Sequence, residues 1–159
     1  MSESGLIALL PQLVSGAPHT HALGLSLEGV DGQVVTVRAP YKEELIGDPE
    51  TRVLAGGLVT TLLDHTCGMA VWVALDRFVS IATLDLRIDY MRAAKPGLDL
   101  LGRARCFKLT RSIAFVRAWA YDETPEDPVA AAQAAFILNS DAGRTAGANL
   151  KSAKPGRRT

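Results

Sequence analysis

The sequence predicts an α+β fold, one long buried helix packed on one antiparallel sheet. Three observations carry that reading. The run LAGGLVTTLLDHTCGMAVWVAL, Leu54 to Leu75, is apolar or small at nearly every position, the pattern of a helix buried around most of its circumference. Strand-like runs follow it, the first with strict alternation. Upstream, Asp31-Gly32 separates two further strand-like runs, a strong hairpin signal.

In chain order, Leu6 to Val14 has near-helical apolar spacing and predicts a short helix despite Pro11. Ser15-Gly16-Ala17-Pro18 ends it, and His19 and His21 fall in a solvated turn beside Pro18. Leu23 to Val30 and Gln33 to Pro40 form the hairpin, and the polar stretch Lys42 to Arg52 is a loop into the long helix. From Val79 to Met91, alternation sets Leu84, Leu86, Ile88 and Tyr90 on one face and Thr83, Asp85, Arg87 and Asp89 on the other. After the turn Lys95-Pro96-Gly97 come Leu98 to Leu109 and Ser112 to Tyr121; after Glu123 to Pro128 comes Val129 to Leu138. Alanine is a weak strand former, so the last run is assigned by its place at the end of a four-stranded meander. A single sheet around a helix leaves edges and one face uncovered, which points to an oligomer.

The 159 residues suit one domain with a real core. Residues 1–140 form that domain, and the polar, glycine-rich stretch 141–159, with Lys151, Lys154, Arg157 and Arg158, is expected to be a flexible tail. Lys and Arg balance Asp and Glu at 17 against 17, so nothing favours nucleic acid or an anionic membrane as partner. Cys67 and Cys106 read as small buried hydrophobes. No Cys/His ligand spacing exists and His19, His21 and His65 do not make a metal set, so no metal is expected. The N-terminus lacks a basic region before its apolar stretch, and Leu54 to Leu75 reads as too short and too interrupted to span a bilayer. A cytoplasmic protein is the expectation.

Asp64 is the chemical anomaly. It lies mid-helix among the small residues Thr60, Thr61, Cys67 and Gly68. A carboxylate there needs partners, and the glycine one turn on suggests a gap where substrate could lie. The competing reading puts Asp64 and His65 on a narrow solvated strip. Gly56-Gly57 opens the helix, where the first N–H groups lack intrahelical acceptors and carry the positive end of the macrodipole. Such donors suit an oxyanion, although a Gly-Gly turn before a helix is common. Eight residues separate Gly56 from Asp64, about 12 Å of helix, too far for one carbonyl. Two antiparallel copies would bring the glycine of one chain near the acid of the other.

The segments AGGLVTTLLDHTCG (Ala55 to Gly68) and ATLDLRIDYMRAAKPG (Ala82 to Gly97) resemble the hotdog-fold acyl-CoA thioesterases, closest to the phenylacetate-pathway, PaaI-like branch. That family's signature is HGG, six residues, then an acid; KLTRSIAF (Lys108 to Phe115) is similar to its coenzyme A-binding turn. The resemblance covers roughly residues 45 to 138. It implies a hotdog fold, a central helix wrapped by about six antiparallel strands, and hydrolysis of an acyl-CoA to free acid and coenzyme A. Coenzyme A is then part of the substrate, and no separate cofactor is expected. Gly56 matches the glycine whose N–H polarises the thioester carbonyl, Asp64 the general base or nucleophile, and Thr83 a hydroxyl that orients the nucleophile. Tyr90, Lys95 and the turn Lys108, Thr110, Arg111 and Ser112 match positions lining the coenzyme A groove, and Asn139 a late contact. Relatives form dimers, commonly tetramers.

Two departures stand out. The family histidine is Ala55 here, and the loop asparagine that donates to the carbonyl in many relatives has only Asp48 as counterpart. An ionised Asp cannot donate, which by analogy costs about 10²–10³ in rate. They motivate an alternative, a non-hydrolytic acyl-CoA or acyl-carrier-protein binding protein of the same fold. A dehydratase would want a histidine beside the acid, and His65 points about 100° away. Trp72, Met69, Phe78 and Met91 are candidates for the acyl pocket.

Overall fold

The computed structural model describes residues 5–139. The elements are α1 (Gly5–Gly16), α2 (Pro18–Leu23), β1 (Ser26–Asp31), β2 (Val34–Ala39), α3 (Gly56–Leu75), β3 (Ser80–Tyr90), β4 (Leu100–Leu109), β5 (Ile113–Tyr121) and β6 (Ala130–Asn139). A 3-10 turn, Glu43–Leu45, interrupts the loop before α3. This is an α+β hotdog fold, a long helix wrapped by six antiparallel strands. The stretch proposed as a tail, 141–159, lies outside the described residues.

Strand order is β1-β2-β4-β5-β6-β3. The strands after α3 are therefore not a four-membered meander: β4 pairs with β2, and β3 crosses to the far edge to pair with β6. Linear order could not reveal this, because α3 must lie across the sheet before the chain re-enters it. At the other end Asp31 pairs with Val34, and Gly32 turns the hairpin at φ +57°, a conformation that glycine adopts without strain. His19 and His21 sit not in a turn but on the exposed side of α2.

Alternation in β3 is broken by a bulge. Thr83 pairs with Phe136 and Asp85 with Ala135, leaving Leu84 unpaired. An extra residue shifts the two-residue period by one. Thr83 therefore joins Leu86, Ile88 and Tyr90 on the helix-facing side, while Leu84 points outward and is 54% exposed. This reverses the faces expected for Thr83 and Leu84.

The core lies between α3 and the sheet. Leu62, Leu63, Cys67, Ala70 and Val71 of the helix are fully buried with Val35, Val37, Ala104, Val116 and Ala118 of the strands. Burying a leucine contributes about 2 kcal/mol. The alanines of β5 and β6 are small enough for the helix to lie close. Gly102 of β4 is closer still: a Cβ there would stand 2.8 Å from Thr66 Oγ1 and 2.9 Å from Leu62 Cγ. Both cysteines are free and buried.

At 20 residues α3 is, by length and composition alone, long and apolar enough to cross a membrane. The expectation that it is too short does not hold, since 20 residues span about 30 Å. What places it is the sheet, which buries 56% of its most apolar stretch within the domain.

Candidate active site

α3 carries Asp64 half-buried on the side facing β3. The Thr83 hydroxyl donates to Asp64 Oδ1 at 2.8 Å. The bulge brings these two expected site residues together, and among the described residues the second carboxylate oxygen has no hydrogen-bond partner. Gly68 does not open a gap beside the acid: a Cβ built there would meet Ile81 Cδ1 at 3.5 Å and Phe136 at 3.9 Å, ordinary contacts of a helix packed on its sheet. His65, next to Asp64, turns instead toward α1 and the backbone of Val14. Its Nε2 is buried without a hydrogen-bond partner among the described residues, and burial pushes its pKa below the ordinary histidine value. Asp64 thus lies on the expected strip of exposed and half-buried helix positions, with Gly56, Gly57, Thr60 and Thr61, while the tip of the His65 ring is buried.

Gly56 is the first residue of α3. Its N-cap is Ala55, extended at φ −62° and ψ 139°, with no side-chain cap. Leu58 N–H bonds Ala55 O and Ala55 N–H bonds Leu45 O; among the described residues nothing accepts from the amides of Gly56 or Gly57. Both are exposed, so two free donors sit at the positive end of the helix. Gly47 buttresses this turn, since a Cβ there would stand 2.7 Å from Ala55 Cα. A depression of about 330 Å³, lined by His19, Glu44, Leu45, Ala55, Gly57 and Thr61, adjoins it.

The hydroxyl of Tyr90, a candidate coenzyme A contact, is engaged within the chain. It donates to Gly56 O at 2.9 Å and lies 3.2 Å from Thr60 Oγ1, tying the end of β3 to the start of α3. This tie has no sequence signature, because the partners are thirty-four residues apart. Lys95 likewise pairs with Glu123, and its amide donates to Asp122 Oδ2 at 2.8 Å. Lys108, Thr110, Arg111 and Ser112 form the exposed β4–β5 turn, closed by Thr110 on Ile113. Asn139 is exposed at the end of β6, in register with Ser80.

Asp48 accepts from Thr51 Oγ1 at 2.6 Å and from Glu50 N–H at 3.0 Å. The Thr51 hydroxyl holds its pKa below the usual carboxylate value, so it acts as an acceptor in its own loop. Of the pocket candidates, Met69 is core, Trp72 lies against Phe78 with its indole N–H on Val79 O, and Met91 is 59% exposed. Among the described residues no group of three or more His, Cys, Asp or Glu is arranged to hold a metal ion.

The thioesterase superfamily model matches residues 52–129, the stretch from the helix start through β5. A protein of known structure from Pseudomonas aeruginosa is 40% identical, with a TM-score of 0.76, over 83% of this chain and 98% of its own. The chain belongs to the hotdog-fold thioesterase superfamily. A Halobacterium salinarum protein named "Putative esterase" is 37% identical over 48% of this chain, and the match spans 52% of that relative's length. A mutant of the phenylacetic acid degradation protein PaaI from Thermus thermophilus, at 22% identity, shares the fold with a TM-score of 0.65, over 76% of this chain and 98% of its own.

Proposed function

We propose that the protein hydrolyses an acyl-CoA thioester to a free acid and coenzyme A, as a PaaI-like enzyme. The observation that carries this reading is the 2.8 Å hydrogen bond from Thr83 to Asp64, which orients a helix-borne carboxylate with one oxygen left over. In this mechanism Asp64 acts as general base or as nucleophile. As base it takes a proton from water, whose oxygen adds to the thioester carbonyl. The resulting oxyanion rests on the Gly56 N–H, with the Gly57 N–H beside it. The C–S bond then breaks, and the coenzyme A thiolate leaves and takes up a proton.

The separation of Gly56 and Asp64 along one helix requires the glycine of one protomer and the acid of its partner, so the active unit is a homodimer, and a tetramer would be a dimer of dimers. The exposed turn Lys108 to Ser112, with Lys95 and Asn139 as further contacts, offers a cationic and hydroxyl surface for coenzyme A phosphates. The setting is cytoplasmic. A thiol-release screen against short, long and aromatic acyl-CoAs tests the reading. Turnover abolished by Asp64→Ala supports it; wild-type turnover in that variant overturns it.

The Ala55 and Asp48 departures favour one other reading, acyl-CoA or acyl-carrier-protein binding without hydrolysis. Acyl-CoA binding by calorimetry with no thiol release would establish that alternative.

A further inference from the structure

On the side of the sheet away from α3, register places Arg105 of β4 directly opposite Arg117 of β5, with Arg103 and Trp119 forming the next opposed pair. Opposed residues in an antiparallel ladder have Cα atoms about 4.5–5.5 Å apart, and like charges there repel. Among the described residues none of these three arginines has a carboxylate within ion-pairing distance. Alternation places Phe107 on the same outward face as Arg103 and Arg105, 44% exposed, and the Arg117 guanidinium stacks over its ring at 4.7 Å. Trp119, 38% exposed, forms a second aromatic surface. These side chains, with Glu126 at the rim, line a groove of about 430 Å³.

We infer that this groove binds a nucleoside phosphate. Its phosphate would sit between Arg105 and Arg117, answering an opposed cation pair that the protein leaves unneutralised, and its base would lie on Trp119. Base-on-aromatic stacking contributes about 1–3 kcal/mol, and guanidinium forks match phosphate oxygens. Charge limits the occupant's size. The chain has no net charge, and on the β3 side of the same face Arg87 is already paired with Asp89 at 3.1 Å, beside Asp85. A long polyanion would meet those carboxylates; a mononucleotide would not. The ligand could be a free nucleotide or the nucleotide end of a larger molecule such as coenzyme A. The inference does not depend on thioester cleavage at Asp64.

The test is equilibrium binding to the full-length protein by calorimetry, with ADP, coenzyme A, adenosine and inorganic phosphate as separate probes and no thioester present. Trp119 fluorescence serves as a second signal, with Trp119→Phe as its control. Saturable ADP binding, weakened at least tenfold by Arg105→Gln and by Arg117→Gln, with adenosine and phosphate each at least tenfold weaker, is the expected result. Tight binding of coenzyme A but not ADP, lost in the same variants, assigns the groove to the larger molecule. Absence of saturable binding by both, or binding indifferent to both arginine variants, overturns the inference. So does a change in oligomeric state in Arg105→Glu or Arg117→Glu without any nucleotide binding to the wild type, which would make this face an interface between copies. All these residues are surface-exposed, and circular dichroism verifies that each variant is folded. Because no hydrolysis is read, a negative thiol-release screen leaves this result unaffected.

Discussion

Thr83 and Asp64 are joined at 2.8 Å because one extra residue in β3 turns the threonine toward the helix. Without the bulge the strict two-residue period would carry this hydroxyl to the opposite face. If the carboxylate is the reacting group, Thr83→Val should lower kcat by about 10–100-fold, the size of a hydrogen bond to a charged acceptor converted to rate. Thr83→Ser should restore most of the loss, and KM should change little. A Thr83→Val enzyme with unchanged kcat would remove the threonine from the mechanism.

Gly56→Pro isolates the amide donor. Ala55 is already in the extended conformation that a following proline demands, and proline is well tolerated at the first helical position. A Cβ at Gly56 has 3.6 Å to the Tyr90 hydroxyl, an ordinary contact. The variant should fold normally and lose about 10²–10³ in kcat. Co-refolding Gly56→Pro with Asp64→Ala should regain activity, because each mixed dimer would hold one site with both groups intact. No recovery in a preparation shown to contain mixed dimers would place both groups in one chain's site or in none.

The largely desolvated His65 ring predicts acid sensitivity. Its pKa is lowered, chiefly by desolvation, so between the folded value and the ordinary value near 6.5 the unfolded chain binds the proton more readily than the folded one. Its contribution to stability is complete above about pH 6.5 and declines as pH falls through the depressed folded value. Urea midpoints from pH 7.5 to 5 should fall for the wild type and fall less steeply in His65→Leu.

Gly102→Ala tests how closely the helix lies on the sheet. The new methyl would meet Thr66 Oγ1 and Leu62 Cγ at under 3 Å, and the Thr66 hydroxyl is held by its 2.6 Å bond to Leu62 O. Overpacking of this kind should destabilise by about 1–3 kcal/mol, read as a lower urea midpoint with unchanged slope.

Asp122 anchors the loop between β3 and β4. Its side chain has no solvent exposure, and it accepts two bonds from Arg92 and the amides of Lys95 and Glu123. The Arg92 hydrogen bonds hold its pKa far below the usual carboxylate value, so its contribution is complete above about pH 4 and is lost as pH falls through the depressed folded value. Asp122→Ala removes these bonds but leaves Arg92 its ion pair with Asp127 at 3.0 Å, and should destabilise by about 1–3 kcal/mol at neutral pH. A loss under 1 kcal/mol in chemical denaturation would show the loop to be held by other contacts.

The sequence by itself determined most of the elements, α2 excepted. An apolar run broken by one acid and opened by two glycines identifies α3 and its candidate residues, and Asp31-Gly32 marks the hairpin, because helix burial and turn geometry are written in neighbouring residues. Asp64 and Gly56 were readable as candidates on the same ground, and Thr83 only through the resemblance to a known family. Only the tertiary structure decided how these parts meet. It moved β3 to the far edge beside β6, used a bulge to aim Thr83 at Asp64, tied Tyr90 to Gly56 and turned His65 under α1. Each of these joins residues through pairing register or through contacts between separate elements, and local periodicity carries no information about either.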